Sequence, residues 1–321
     1  MRRPIVLVSN AEIPEMGLNL LKEKCELIIC SEQPYPSRAD ILRKIKGVDA
    51  LFWCTHLKLD KEILDEAGEN LKVVGTMSAG YDHIDIAELK NRGILVGNTP
   101  NVLTSAVAEV ALGLMIAAAR RFHEGQLALM SGSWNTGAAQ WMLGMELRGS
   151  TVGIVGLGGI GQAVARRVQP FEVGRIIYCG HSPKKEGEAI GAEFVSLEEL
   201  LQESDFVVVS CPLSPETKGM FNDEAFAKMK KTAVLVNVAR GGLIDQEALV
   251  RALQDGKIQA AGLDVMTPEP LPTNHPLASL KNCFLIPHLG SATVKTRQDM
   301  AVLAARNILC GLEGKPLPAP L

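Results

Sequence analysis

The chain has 321 residues, of which 47% are hydrophobic and 21% charged, and its net charge is −3. This length is ample for about two domains, and the composition is typical of a soluble globular protein. The weak charge, without blocks of like charge, disfavours nucleic acid and anionic membranes as partners, and no apolar run approaches the roughly 18 residues of a membrane helix.

The seven cysteines indicate the compartment in which the chain works. They are scattered, odd in number and without a CxxC pair, so we interpret them as reduced thiols that mostly serve packing. The apolar stretch Ile5–Val8 is too short for a signal peptide, and the C-terminal residues Pro318–Leu321 do not form the S-K-L peroxisomal signal. We therefore expect a cytoplasmic protein.

The first part of the chain alternates between strand and helix patterns with short connections. The predicted strands are Ile5–Val8, Leu27–Cys30, Ala50–Trp53 and Leu71–Thr76, and the predicted helices between them are Met16–Lys24, Arg38–Lys46 and Lys61–Ala67. This rhythm predicts a parallel sheet.

A loop of small residues follows the fourth predicted strand. Ser78, Ala79 and Gly80 leave backbone N–H groups accessible at the carboxyl end of a parallel strand, where open α/β sheets bind ligands. The loop is either an anion-binding nest or a simple connection from strand to helix. On these residues alone the connection is favoured.

A long helix over Thr104–Arg121 is predicted to lead into a second domain. The stretch that follows, about residues 122–148, has weaker periodicity and contains Trp134 and Trp141. We interpret it as an arm that leaves the main body and serves dimerisation.

The stretch Thr151–Gly161, TVGIVGLGGIG, joins a buried strand to a glycine-rich turn that fits GxGxxG, and a helix-forming segment follows. In such a turn Gly156 allows the sharp bend, Gly158 lets a pyrophosphate approach the backbone, and Gly161 lets the helix pack close to the strand. The N–H groups at the start of the helix face the phosphate charge. The motif therefore predicts dinucleotide binding, with a plain tight turn as the alternative.

Polar side chains recur just past the ends of strands in the second half. The predicted elements are strands at Arg175–Cys179, Phe206–Ser210, Ala233–Asn237, Ala260–Val265 and Cys283–Ile286, a helix with Asp245 as its N-cap, and a last helix over Val294–Gly311. Arg240, Glu269 and His288 each follow one of these strands. We expect them to meet over the carboxyl edge of the sheet, beside the cofactor.

An Arg, a carboxylate and a His around a nicotinamide form a complete set for hydride-transfer chemistry. Arg240 can bind a substrate carboxylate through two hydrogen bonds, and His288 can donate or accept the proton. Glu269 can orient the imidazole and favour its protonated form. Each residue also has a plain interpretation, namely a salt bridge, a solvated carboxylate and a loop cap, but their shared location favours a site.

These residues lie in sequence blocks that resemble the D-2-hydroxyacid dehydrogenase family. The blocks, in chain order, are TMSAGYDHID, NTPNVLTSAVAE, VGIVGLGGIG, LVNVARGGLID, GLDVMTPEPLPTNHPL and PHLGSAT. They span essentially the whole chain, and the TMSAGYDH and PEPLPTNHPL stretches point to the glyoxylate/hydroxypyruvate reductases within the family.

The resemblance implies an α/β fold of two Rossmann-like parallel-sheet domains, one flavodoxin-like and one doubly wound, with the active site in the cleft between them. Residues 1–101 and 294–321 would form a discontinuous substrate-binding (catalytic) domain. Residues 102–293 would form the dinucleotide-binding domain, including the dimerisation arm of a homodimer. No metal site is expected.

The resemblance also implies a role for each site residue. His288 would be the general acid/base with Glu269 as its partner, and Arg240 would grip the substrate carboxylate and polarise the C2 carbonyl. The other residues implied at the substrate are Ser78, Ala79, Ser291 and, reaching the partner subunit's pocket, Trp141, unless the tryptophans only fill the dimer interface. The residues implied at the cofactor are Leu157, Gly158, Gly159 and Ile160 at the pyrophosphate, Gly180, His181 and Ser182 at the adenosine, and Pro212, Val238, Asp264 and Gly290 at the nicotinamide.

The residues after the second strand of this half bear on which dinucleotide binds. NAD enzymes of this fold place an Asp or Glu there for the ribose 2′-OH, whereas Cys179–Lys185 reads CGHSPKK, without a carboxylate. A 2′-phosphate would meet Ser182 and a cationic neighbourhood, so we predict that NADPH is preferred, with NADH possible. NADP-using relatives usually carry Arg where this chain has His181, a weaker and pH-dependent partner, so we expect a modest preference that falls as pH rises.

The function predicted from these residues is NADPH-dependent reduction of glyoxylate to glycolate and of hydroxypyruvate to D-glycerate, with hydride transfer to C2 and His288 as proton donor. One alternative is a dinucleotide-sensing, non-enzymatic interaction protein of the same fold, like the transcriptional corepressors that keep the Arg, Glu and His. Another is a phosphoglycerate dehydrogenase, although the chain leaves no room for the regulatory domain that many of those carry. A formate dehydrogenase would be expected to replace the Glu–His pair.

Overall fold

The computed structural model describes residues 2–32 and 35–321. The chain divides into two compact units: unit 1 is Met1–Leu103 with Ala292–Leu321, and unit 2 is Thr104–Ser291. The strands of the described residues are β1 (Ile5–Val8), β2 (Glu26–Ile29), β3 (Ala50–Trp53), β4 (Val73–Thr76), β5 (Leu95–Gly97), β6 (Thr151–Val155), β7 (Arg175–Cys179), β8 (Ala192–Phe194), β9 (Phe206–Val209), β10 (Val234–Asn237), β11 (Ala260–Leu263) and β12 (Cys283–Leu285). The α-helices are α1 (Glu15–Lys24), α2 (Arg38–Lys44), α3 (Lys61–Ala67), α4 (Ile86–Asn91), α5 (Thr104–Ala119), α6 (Phe122–Met130), α7 (Gly159–Val168), α8 (Lys185–Ala189), α9 (Leu197–Glu203), α10 (Asp223–Lys228), α11 (Gln246–Gln254) and α12 (Val294–Leu312).

Unit 1 is built on a five-stranded parallel sheet in the order β2-β1-β3-β4-β5. This is the flavodoxin-like strand order. The central strand β3 is buried along its whole length, as a strand covered by helices on both faces must be. The C-terminal helix α12 packs on α1, β3 and β4 of the same unit, so the last part of the chain completes the fold that the first part begins.

Unit 2 is built on a seven-stranded parallel sheet in the order β12-β11-β10-β9-β6-β7-β8. The chain winds outward from β6 through β7 and β8, and then returns to build the other half from β9. This reversal beside β6 is the topological switch point, where doubly wound sheets bind ligands at the carboxyl ends of their strands. The two sheets confirm the predicted fold class.

The structure differs from the sequence-based elements mainly where elements are short. Several short strands and helices are not predicted from the sequence, because elements of three to seven residues carry too little periodicity to be recognised. They are α4, β5, α8, β8, α9 and α10. The long helix α5 ends at Ala119 rather than Arg121, since Arg121 adopts a left-handed φ of 56° that ends the helix.

The stretch predicted as an arm contains the helix α6. None of its nine residues, all of which are described, is buried. The apolar side chains Phe122, Leu129 and Met130 of this helix, and Trp134 and Leu143 after it, are exposed. The weak periodicity has a physical cause, because these apolar residues do not face a core within their own chain.

The seven cysteines are all free thiols, and five of them are buried. Desolvation raises the pKa of the buried Cys179 thiol to about 12 and that of Cys283 to about 12. Thiols held in the neutral form in a protein core act as small apolar side chains. None of the helices in the described part of the chain is both long and apolar enough to span a bilayer.

Candidate active site

The glycine-rich turn between β6 and α7 has the geometry that its sequence predicts. Gly156 has a left-handed φ of +95°, and a Cβ there would lie 2.8 Å from the backbone of Cys211. A Cβ on Gly161 would lie 2.3 Å from the Gly156 carbonyl oxygen, so α7 could not approach β6 with any larger residue. Gly158, in contrast, faces open space. The turn therefore leaves an uncovered backbone at the start of a helix, which fits the pyrophosphate of a dinucleotide.

Arg240 follows the end of β10 and is held by the residue that ends this strand. The fully buried Asn237 donates from Nδ2 to the Arg240 carbonyl oxygen over 2.8 Å and accepts from the Ala239 N–H over 3.0 Å. The Arg240 side chain donates to the Ala239 carbonyl over 2.9 Å and is half-buried. The next residue, Gly241, lies against the Met266 carbonyl so closely that a Cβ would be 2.1 Å from it. The Arg240 loop therefore packs directly on the loop that carries Glu269.

Glu269 and His288 form a hydrogen-bonded pair. Glu269 Oε2 lies 2.7 Å from His288 Nδ1, and its other oxygen accepts from the Met266 N–H over 2.9 Å. The Glu269 side chain is 22% exposed and that of His288 is 42% exposed. Because Nδ1 is engaged by the carboxylate, Nε2 is the ring nitrogen that remains for a substrate oxygen. This is the arrangement in which a carboxylate orients a general acid/base histidine.

The backbone of His288 is held in an uncommon conformation. Its φ is 54°, in the left-handed region that non-glycine residues rarely adopt, and its N–H donates to the Asp264 carbonyl over 2.8 Å. The buried Asp264 carboxylate accepts from the N–H groups of Leu289 and Gly290. Burial raises the pKa of the Asp264 carboxyl, against the opposite effect of these two N–H groups and of His288. Asp264 therefore fixes the loop that presents the imidazole, and strained backbone of this kind is concentrated at functional sites.

The residues predicted to lie at the adenosine follow β7. Gly180, His181 and Ser182 are all exposed. Lys184 lies beside them and donates from Nζ to the Leu157 carbonyl of the glycine-rich turn over 3.1 Å. One carboxylate reaches this region from the loop after β9: the pKa of Glu216 is lowered mainly by the Ser214 hydroxyl and to a smaller extent by His181.

The remaining residues predicted at the site lie in several places. In unit 2, Leu157, Val238 and Gly290 are buried, Ile160 and Ser291 are half-buried, and Gly159 and Pro212 are exposed. Trp141 lies in the arm and is 37% exposed. Ser78 and Ala79 belong to unit 1, in the loop after β4. The structure thus brings His288, Glu269, Asp264 and the Arg240 loop together within unit 2.

The supporting roles of three polar residues are not predicted from the sequence. Asn237 supports the Arg240 loop, and Lys184 supports the glycine-rich turn. Asn98 supports the loop of Ser78 and Ala79. Asn237 lies at the carboxyl end of a buried strand, where an amide needs a partner, so its position alone could have identified it. Among the described residues, no group of three or more His, Cys, Asp or Glu side chains could hold a metal ion.

Comparison with known proteins gives the family. Residues 112–290 match the family described as D-isomer specific 2-hydroxyacid dehydrogenase, NAD binding domain. The chain is 50% identical over 292 residues to the human glyoxylate reductase/hydroxypyruvate reductase, with 91% of this chain and 89% of the human protein covered.

Two solved structures have the same fold as this chain. The TT0316 protein of Thermus thermophilus superposes with a TM-score of 0.91 at 41% identity, and the superposition covers 99% of each chain. The NADPH-dependent glyoxylate/hydroxypyruvate reductase of Sinorhizobium meliloti, solved with NADP and malonate, superposes with a TM-score of 0.88 at 33% identity, over 100% of this chain and 97% of that one. The chain is therefore an oxidoreductase with a nicotinamide-dinucleotide-binding domain, belongs to the D-2-hydroxyacid dehydrogenase family, and resembles its glyoxylate/hydroxypyruvate reductases.

Proposed function

We propose that the protein reduces glyoxylate to glycolate and hydroxypyruvate to D-glycerate with NADPH. The observation that carries this proposal is the His288–Glu269 pair, 2.7 Å apart, on loops that pack together with the Arg240 loop at the carboxyl ends of the sheet strands. The names of the human and S. meliloti relatives support the same substrates.

Each site residue has a separate role in the proposed reaction. Bound NADPH supplies the hydride that reaches C2 of the substrate. Arg240 binds the substrate carboxylate and polarises the C2 carbonyl, because a guanidinium can donate two parallel hydrogen bonds. Protonated His288 donates from Nε2 to the carbonyl oxygen, and Glu269 stabilises the imidazolium before this transfer. The N–H groups of the loop around Ser78 and Ala79 bind the carboxylate as well.

The preference for NADPH over NADH rests on the adenosine end of unit 2. Ser182 and His181 are exposed there and can hydrogen-bond to a 2′-phosphate, and Lys184 adds a cation between this loop and the glycine-rich turn. Glu216 opposes them, because its carboxylate lies within electrostatic range of His181. This opposition makes the preference modest. Glu216→Gln should therefore increase the ratio of kcat/KM with NADPH to that with NADH, whereas Glu224→Gln, an exposed carboxylate on α10, should leave it unchanged.

The arm supports the proposal of a homodimer. Its exposed Phe122, Leu129, Met130 and Trp134 form the kind of apolar surface that a second copy of the chain covers. In that dimer Trp141 of the partner subunit limits the size of the substrate. If Trp141→Ala leaves the preference for hydroxypyruvate over bulkier 2-oxo acids unchanged, the proposed role of this residue is wrong. A cytoplasmic location stays a prediction, in keeping with the free cysteines.

A steady-state panel of glyoxylate, hydroxypyruvate and pyruvate, each with NADPH and NADH, tests the proposed function. We expect turnover of the first two with higher kcat/KM for NADPH, and His288→Ala should lower kcat by at least about 10²–10⁴-fold because positioned acid catalysis is removed. The matched control is His275→Ala, a histidine of unit 2 that caps a short 3₁₀ helix through the Leu277 N–H.

Two outcomes would favour other members of the family. Dinucleotide binding without turnover of any 2-oxo acid would indicate the non-enzymatic interaction protein. If phosphorylated hydroxypyruvate is added to the panel, turnover confined to it would indicate a phosphoglycerate dehydrogenase. Equal kcat/KM with NADPH and NADH at pH 7 would refute the cofactor preference alone.

A further inference from the structure

In the loop after β4 in unit 1, the carbonyl groups of three successive residues, Ser78, Ala79 and Gly80, each accept a hydrogen bond. The Thr99 N–H donates to the Ser78 carbonyl over 2.9 Å, and Asn98 Nδ2 donates to the Ala79 carbonyl over 2.8 Å. The Ser78 hydroxyl donates to the Gly80 carbonyl over 2.7 Å. In a trans peptide the N–H points away from the preceding carbonyl. Each carbonyl that is tied down therefore turns the next N–H group the other way.

The consequence is a row of N–H groups on the opposite side of this loop. The Ala79 N–H opposes the Ser78 carbonyl, and the Gly80 N–H opposes the Ala79 carbonyl. Within the described residues neither N–H has an acceptor, and both residues are only half-buried. Successive N–H groups that point to one side form an anion-binding concavity. The partners of the carbonyls, rather than the loop itself, thus determine whether the nest forms.

Asn98 is held in place by the C-terminal part of the chain. Its side chain is buried with the rest of the residue, its carbonyl accepts from Asn307 Nδ2 over 2.9 Å, and its N–H donates to the Ala319 carbonyl over 3.1 Å. Asn307, on α12, is fully buried and accepts from the Ala319 N–H over 3.0 Å. Both backbone groups of Asn98 are therefore held by hydrogen bonds. They fix the position from which its side-chain amide reaches the Ala79 carbonyl. A buried hydrogen-bonded network of this kind favours one geometry.

The side chain of Asn98 is suited to a position beside a bound anion. The amide of Asn98 is neutral, so it can donate to a carbonyl without bringing negative charge near a bound carboxylate, as an Asp at this position would. We propose that Asn98 is a positioning residue for substrate binding, which turns the N–H groups of Ala79 and Gly80 toward the carboxylate of the 2-oxo acid. This inference rests on the proposed function of the loop as a carboxylate-binding element.

The test compares Asn98→Ala with its neighbour Thr99→Val. Thr99 is fully buried, and its hydroxyl has no hydrogen-bond partner among the described residues, so its replacement by Val keeps the backbone bond to Ser78 and removes no hydrogen bond. The readout is the affinity of the enzyme–NADPH complex for oxalate, an unreactive carboxylate of substrate size, followed by the fluorescence of bound NADPH. KM and kcat for glyoxylate and KM for NADPH are measured in parallel.

We expect Asn98→Ala to weaken oxalate binding and to raise KM for glyoxylate by about tenfold each, because one hydrogen bond that orients the nest is lost. KM for NADPH should not change, and kcat should change less than KM, since the proton donor and the cofactor site belong to unit 2. Thr99→Val should match the wild type. Equal oxalate affinity in Asn98→Ala and Thr99→Val would overturn the inference.

A measurement on the wild-type enzyme keeps the inference testable if Asn98→Ala does not fold. Oxalate added to the enzyme–NADPH complex should slow hydrogen exchange of the Ala79 and Gly80 amides, and unchanged exchange would refute the nest. The two levels of the proposal are distinguishable. A wild-type enzyme that fails to reduce glyoxylate refutes the proposed function, whereas oxalate-dependent protection of these amides still supports the nest that Asn98 orients.

Discussion

We predict from the contact between Glu269 and His288 how the pH profile of the reaction shifts when the carboxylate is removed. The proposed reduction requires the protonated imidazole, whose positive charge the adjacent carboxylate stabilises. Glu269→Gln keeps the shape and a hydrogen-bonding group but removes the charge. As pH rises, the rate of reduction should therefore begin to fall at a lower pH in the variant than in the wild type.

The size of this shift follows from the distance and exposure of the pair. Glu269 Oε2 lies 2.7 Å from His288 Nδ1, and the two side chains are 22% and 42% exposed. Exposed ion pairs contribute about 0–1 kcal/mol, and hydrogen bonds to charged groups about 1.5–3 kcal/mol. A partly exposed, hydrogen-bonded pair lies between these ranges, at about 1.4 kcal/mol, which corresponds to about one pH unit.

The assay is the pH profile of kcat/KM for hydroxypyruvate at saturating NADPH. The matched control is Glu247→Gln, because the exposed Glu247 lies 3.7 Å from Nε2 of another histidine of unit 2, His275, outside the site. We expect the midpoint of the profile to move down by about one unit in Glu269→Gln and not to move in Glu247→Gln. An unmoved profile in Glu269→Gln, or the same shift in the control, would refute the pairing.

Three further predictions concern the cofactor turn, the substrate anchor and the surface. Gly161→Ala should raise the Kd for NADPH about tenfold or more, because the new Cβ would lie 2.3 Å from the Gly156 carbonyl and overpacking costs about 1–3 kcal/mol; fluorescence titration measures this, and an unchanged Kd would contradict the packing argument. Arg240→Lys should lower kcat/KM for 2-oxo acids about 10- to 100-fold, since charge-assisted hydrogen bonds contribute about 1.5–3 kcal/mol; steady-state kinetics that match the wild type would exclude Arg240 as the carboxylate anchor. Hydrogen bonds from Lys24 and Lys315 lower the pKa of Glu313 from 4.5 to about 2, so its stabilising effect should be complete above pH 4.5 and disappear as pH falls through 2. Thermal unfolding of the wild type and Glu313→Gln should therefore differ at neutral pH and converge at the acid end, and a constant difference would show that Glu313 acts in another way.

Particular residues show how far the sequence alone reaches. The glycine-rich turn is predictable because the roles of Gly156 and Gly161 are local: one needs a left-handed φ, and the other a close approach between a strand and the helix next to it. Arg240, Glu269 and His288 are also identifiable from the sequence. In a parallel sheet, residues that follow strand ends gather at one edge whatever their separation along the chain.

The tertiary structure alone decided which groups support these residues. His288 meets the backbone of Asp264 and Asn98 meets Asn307, and such contacts between distant residues leave no periodicity in the sequence. The approach of Glu216 to His181 likewise depends on how two loops pack. The sequence by itself determined the fold class and the positions of Arg240, Glu269 and His288 after strand ends, because patterns of burial and turn residues are local. The donors to the carbonyl groups in the loop after β4, and the partners of each polar side chain, were decided only by the packed chain, because hydrogen-bond geometry depends on atoms that folding brings together.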